Sequence, residues 1–220
     1  MPIAQSRGWL VVSFAGFAGF VAVTTLVALD APAIETADTA ANAAAAELAR
    51  GSPWIAAARV VTWLGKTEVL AAGTALATVT LGARRAYARA GFVVTSVAVG
   101  YAVRWSVRAV LERPRPEPLL ADVSNWAFPS GHAANIATVA VLATLLAGPY
   151  LRGWGRVALV TAAAATSVAV GVSRVALLVH WPSDVAGGWL LPLGLIPLLA
   201  LGADRRWPGW RGREPAMIGR

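Results

Sequence analysis

Two histidines occur in a chain of 220 residues, and each sits in a polar stretch bordered by apolar runs. His180 lies in "SRVALLVHWPSDVAGG", with Ser173 and Arg174 upstream and Asp184 four residues later. A carboxylate at that spacing can accept the Nδ1–H of the imidazole and fix its tautomer. Nε2 is then left as a nucleophile or base. His132 lies in "AFPSGHAANIATVA". There Pro129 disfavours helix for the residue before it, Ser130 is a good N-cap, and Gly131 lets a ligand approach the backbone. The free N–H groups of such a helix start attract an anion.

Arginines supply the matching positive charge. Arg104 and Arg108 are four residues apart, on one helix face, in the outer third of the apolar run Gly91 to Leu111. An ionisable side chain inside a span is a functional candidate by default. Arg113 and Arg115 alternate with prolines in "ERPRP", so an extended, stiff backbone displays guanidinium forks that match phosphate oxygens. These parts fit phosphoryl transfer by positioning and charge stabilisation. One histidine attacks phosphorus, Asp184 orients it, and the other histidine protonates the leaving oxygen. His180 has an orienting carboxylate in sequence reach and His132 has none. No Asp/Glu cluster or further histidine is at hand to hold a metal, so metal-independent chemistry without a cofactor is expected.

The elements that must hold these residues are membrane helices. The chain is 57% hydrophobic and only 14% charged, where a soluble domain carries about 25% charge. Mean hydropathy is +0.62. There is no cysteine, which excludes disulfides and thiolate chemistry. An all-α polytopic bundle forming a single domain over residues 1–220 is expected, with spans near 9–29, 66–81, 91–111, 131–147, 157–179 and 184–201. The first resembles a signal peptide followed by an A-x-A site, but its length favours a retained helix. "ETADTAANAAAAELAR" reads as a helix closed by Gly51, Ser52 and Pro53, and "WIAAARVVTWLG" as a helix at the interface. Lys66 is expected to snorkel at the outer end of the second span. Pro192 and Pro197 are expected to kink the last.

The net charge of +8 is better assigned to lipid-facing loops than to nucleic acid. One set of connections carries Arg7, Arg84, Arg85, Arg89, Arg152, Arg156, Arg205, Arg206, Arg211, Arg213 and Arg220. The other carries Arg50, Arg59 and Lys66 once the site arginines are set aside. Both termini, including a basic tail from about residue 203, are therefore expected in the cytoplasm of a cell-membrane protein, with the site on the outer face. Oligomeric state is left open.

The three stretches together resemble the type 2 phosphatidic acid phosphatase family, the lipid phosphate phosphatases. Its first block, K-x6-R-P, is matched by Arg108 and Arg115-Pro116, with arginine where the family usually has lysine. The second is Pro129 to His132. The third, S-R-x5-H-x3-D, is matched by Ser173, Arg174, His180 and Asp184. The motif core runs from about residue 104 to 188. The resemblance implies a phosphatase acting on a lipid phosphate or pyrophosphate, such as phosphatidic acid, phosphatidylglycerophosphate or undecaprenyl pyrophosphate. It implies that Arg108, Arg115 and Arg174 bind phosphate, with Ser130 and Gly131 assisting. His180 becomes phosphorylated, Asp184 orients it, and His132 is the general acid. Arg113, Arg104 and Ser173 stand as further candidate contacts. A phosphotransferase of the same superfamily, or a silent membrane scaffold or transporter, is the alternative. The Arg108 exchange keeps the charge but not the geometry.

Overall fold

Prolines and left-handed residues mark several helix boundaries among the described residues, which are mostly helical. The computed structural model describes residues 3–49, 53–121, 123 and 125–206. They form α1 (Ile3–Ala28), α2 (Pro32–Ala49), α3 (Trp54–Val61), α4 (Thr67–Ala83), α5 (Tyr87–Leu111), α6 (Gly131–Ala147), α7 (Trp154–Ala176) and α8 (Pro182–Arg206). No strand occurs among the described residues. A 3-10 turn, Thr62–Gly65, links α3 to α4. α2 and α8 both start on proline, whose fixed φ suits the first helical position and whose missing N–H costs nothing there. α5 stops at Glu112, with φ of 43°, whose N–H donates to the Arg108 carbonyl. α7 stops at Ala176, three residues before the expected end, because Leu178 turns left-handed with φ of 53°. α8 runs unbroken through Pro192 and Pro197.

Five described helices are long and apolar enough to cross a membrane: α1, α5, α6, α7 and α8. The expected second span is α4, with 17 residues, about 25 Å of helix. It runs between the same two ends of the bundle as the others. Its start adjoins Gly65, which packs against His132, and its end feeds the start of α5. α8 lies in the middle, against α1, α5, α6 and α7. Phe92, Val93, Val141, Leu145, Ile196 and Ala200 fill the core between α5, α6 and α8. Large apolar side chains stand on the outside, among them Phe14, Leu76, Val157 and Val172. That surface suits lipid contact, since the helices satisfy their own backbone groups.

The bundle gathers its chemistry at one end. The last turns of α5 and α7, the first turns of α6 and α8, α2, and the Thr62–Gly65 turn all meet there. Arg50 and residues 207–220, which carry part of the orientation argument and most of the basic tail, lie outside the described residues.

Candidate active site

His180 is the centre of the arrangement. It sits in the connection between α7 and α8 and is 2% exposed. Its Nδ1 is 3.2 Å from Asp184 Oδ2, and its Nε2 is 3.1 Å from Arg115 Nη1. A guanidinium has only donors, so Nε2 must offer its lone pair and Nδ1 must carry the proton. The two partners thus fix the tautomer expected from the sequence. Burial pushes the imidazole well below its ordinary pKa, and the charges of Arg115, Arg174 and Arg108 push it the same way. The ring is neutral at physiological pH.

Asp184 stands in the first turn of α8 and is fully buried. Oδ2 also accepts the Trp181 N–H at 2.9 Å, and Oδ1 accepts Arg113 Nη1 at 2.6 Å. Its backbone carbonyl accepts the Ser130 N–H at 2.9 Å, so the start of α6 is tied to the start of α8. Gly188 permits that approach. A Cβ there would meet the Ser130 carbonyl oxygen at 2.7 Å and the Ala133 Cβ at 2.8 Å.

The arginines surround this pair. Arg115 is clamped by the Val179 carbonyl and by the Asn125 side chain and carbonyl, each at 2.6 Å. Burial lowers its pKa to about 10, with the neighbouring Arg108 adding to the shift, so it stays charged. Arg108 donates to the Pro129 carbonyl at 2.8 Å. Arg104 donates to the Gly131 carbonyl at 3.2 Å and to Asn135 Oδ1 at 2.7 Å. Both are buried, so neither snorkels to the interface. Arg174 donates to Thr62 Oγ1 at 2.8 Å. His132 is half-buried one residue into α6. Its electrostatic neighbours are Arg174, His180, Lys66 and Arg115.

Three of the expected contacts differ in how far their polar groups are already engaged within the protein. Arg113 gives its two Nη groups to Asp184 and Asp38. The Ser173 hydroxyl donates to the Val170 carbonyl at 2.6 Å, a bond within its own helix. Ser130 starts α6 without a side-chain cap, and its buried hydroxyl has no partner among the described residues. The Nε groups of Arg104, Arg108 and Arg174 are likewise buried without one. Four buried polar groups left over in one small region are more than close-packed proteins usually carry.

Sequence reading passed over Asp38, Thr62, Asn125 and Asn135, all of which hold site arginines. Asn135 carried a usable signal, because an amide one turn after Gly131 in an apolar span needs a partner. The other three lie in less apolar segments where polar residues are ordinary.

Beside the His180–Asp184 turn is an apolar cavity of about 610 Å³, lined by residues of α2, α3, α7 and α8 including Trp54, Val175, Pro182 and Val185. None of its lining residues is charged.

The family model that matches residues 89–208 is that of the PAP2 superfamily. The chain belongs to the PAP2 superfamily. The matched stretch contains every arginine, histidine and carboxylate of the site except Asp38. Among PAP2 relatives, phosphatidylglycerophosphatase B of Bacillus subtilis strain 168 is 40% identical over 101 residues, 44% of this chain and 48% of that protein. Undecaprenyl-diphosphatase of Sulfolobus acidocaldarius is 37% identical over 68 residues, 31% of this chain and 29% of that protein. The matches thus span about half, or less, of these relatives' length. The crystal structure of a transmembrane PAP2 type phosphatidylglycerolphosphate phosphatase from Bacillus subtilis superposes with a TM-score of 0.77 at 27% identity. That superposition covers 89% of this chain and 96% of the other.

Proposed function

We propose that this PAP2 protein is an integral-membrane phosphatase that hydrolyses a lipid phosphomonoester or pyrophosphate through a phosphohistidine. The observation that carries the reading is the His180 ring, held at Nδ1 by Asp184 and facing Arg115 with its lone-pair nitrogen. In the first step Nε2 attacks phosphorus and the bond from phosphorus to the lipid-side oxygen breaks. His132 gives that oxygen its proton. In the second step His132 takes a proton from water, whose oxygen attacks the phosphoryl group, and inorganic phosphate leaves His180.

Arg108, Arg115 and Arg174 hold the phosphoryl oxygens, with Ser130 and Gly131 at the start of α6. The unpartnered Nε groups and the Ser130 hydroxyl support this, because a phosphoryl group brings the acceptors they lack. The arginine charge supplies the electrostatic stabilisation that a metal gives elsewhere, and Asp184 is committed to His180, Trp181 and Arg113. The apolar cavity and helix surfaces suit the hydrocarbon part of the substrate. The names of the two relatives make phosphatidylglycerophosphate and undecaprenyl diphosphate the first substrates to try, beside phosphatidic acid. The site opens on the outer face, with the described N-terminal end of α1 toward the cytoplasm.

The test is phosphate release by purified protein in detergent across that panel, with and without EDTA, for wild type and His180→Ala. Release by wild type that survives EDTA and vanishes in the variant is expected. Undiminished release by His180→Ala would refute the phosphohistidine route. Loss in EDTA that Mg²⁺ restores would refute the metal-free one.

A further inference from the structure

A second carboxylate is buried behind the first. Asp38, on α2, is 3% exposed and takes donors on both oxygens. Oδ1 accepts the Ser183 N–H at 2.9 Å. Oδ2 accepts the Ser183 hydroxyl and Arg113 Nη2 at 2.7 Å. Arg113 Nη1 in turn donates to Ser183 Oγ at 2.7 Å and to Asp184 Oδ1 at 2.6 Å. Asp38, Arg113, Ser183 and Asp184 thus close a ring from three parts of the chain, and Asp184 is the member that also touches His180.

The ring has a defined electrostatic consequence. One guanidinium is divided between two buried carboxylates. Were Arg113 paired with Asp184 alone, its charge would draw on the electron density that Asp184 offers to the Nδ1–H of His180. Asp38 takes up part of that charge. It also pins the second Nη group, so Arg113 cannot rotate about its bond to Asp184. The Ser183 bonds fix α2 against the turn that carries Asp184.

We propose that Asp38 is a positioning residue for the phosphoryl-transfer reaction, acting through Arg113 and Ser183 to set the orientation and basicity of Asp184. The inference rests on the reading of His180 as nucleophile. It makes α2, which lies outside the matched family region, part of the machinery.

The test is Asp38→Asn in the full chain, purified in detergent, assayed on whichever lipid phosphate the wild type turns over best. kcat is expected to fall by about 10- to 100-fold, the size of effect that a displaced catalytic group produces. KM, and inhibition by inorganic phosphate, should stay within about twofold, because no phosphate ligand is touched. Asp38→Glu should recover part of the loss. In an Arg113→Ala background the added Asp38→Asn should change kcat by less than about twofold, since the route is already cut. An unchanged kcat, an equal fold loss in both backgrounds, or a loss confined to KM would each overturn the proposal. If Asp38→Asn does not fold, Ser183→Ala gives the same readout with a neutral side chain. A kcat loss that Arg113→Ala absorbs supports the ring, and an additive loss or none overturns it. The two readings separate cleanly. Active wild type, inactive His180→Ala and full kcat in Asp38→Asn sink this inference alone. Activity retained in His180→Ala sinks the nucleophile and takes this inference with it.

Discussion

Asp184 accepts three donors on two oxygens, and that count governs what a change there does. An asparagine has one acceptor oxygen and must turn its NH₂ toward the His180 Nδ1–H, the Trp181 N–H or Arg113. A buried donor facing a donor costs about 1–3 kcal/mol, and the His180 tautomer is no longer enforced. Asp184→Asn is therefore expected to keep the helical content seen by circular dichroism while phosphate release drops by roughly 10⁴-fold, as for a triad aspartate changed in the same way. A drop under about tenfold would remove Asp184 from its orienting role. His180 makes a prediction of its own. The folded state holds the ring neutral, with its pKa well below the ordinary 6.5, so on acidification the unfolded chain binds a proton that the folded chain refuses. The stabilisation is complete above 6.5 and is lost as pH falls toward the folded value. Between about pH 8 and about pH 5.5, the wild-type melting temperature in detergent should fall further than that of His180→Gln, and equal falls would contradict this.

Among the elements, α8 carries most of the consequence, because it crosses the start of α6 with almost no clearance at Gly188. Gly188→Ala puts a methyl group against the Ser130 carbonyl and Ala133. The expected cost is about 1–3 kcal/mol of stability. A loss of kcat should accompany it, because Ser130 and His132 move relative to His180. A variant with wild-type melting and kcat would show that the crossing relaxes freely. The helices themselves were legible from apolar run length, to within a few residues at most ends. α7 ended early at a left-handed leucine, a conformation that no residue type there announces. Within the site, the His180–Asp184 pair was legible because its members are four residues apart on a turn. The destination of Arg113 was not. Its charge and its place in the proline-rich stretch Glu112 to Pro116 pointed to phosphate, and its second partner, Asp38, lies 75 residues away in an alanine-rich helix. Ser130 misled differently: the residue type favours capping, but its N–H is taken by the Asp184 carbonyl and its buried hydroxyl makes no cap bond.

At the scale of the molecule, orientation has a simple check. The chain holds one lysine, Lys66, at the site end of the bundle with its Nζ 3.9 Å from the Trp63 ring centre. An amine-reactive reagent that cannot cross membranes should modify Lys66 on intact cells when the site faces outward, and Lys66→Arg should abolish that label. Modification only after the cells are opened would reverse the orientation. The packing order also bears on biogenesis. The first helix rests chiefly on the last, with the Ser13 hydroxyl donating to the Gly194 carbonyl across 181 residues of sequence. Asp38 must likewise await Ser183, 145 residues later. At ordinary elongation speeds that wait is on the order of 10 s. During it, α1 and α2 leave the ribosome with the surfaces meant for α8 still uncovered. The bundle closes, and the site first exists, only when the final helix is made.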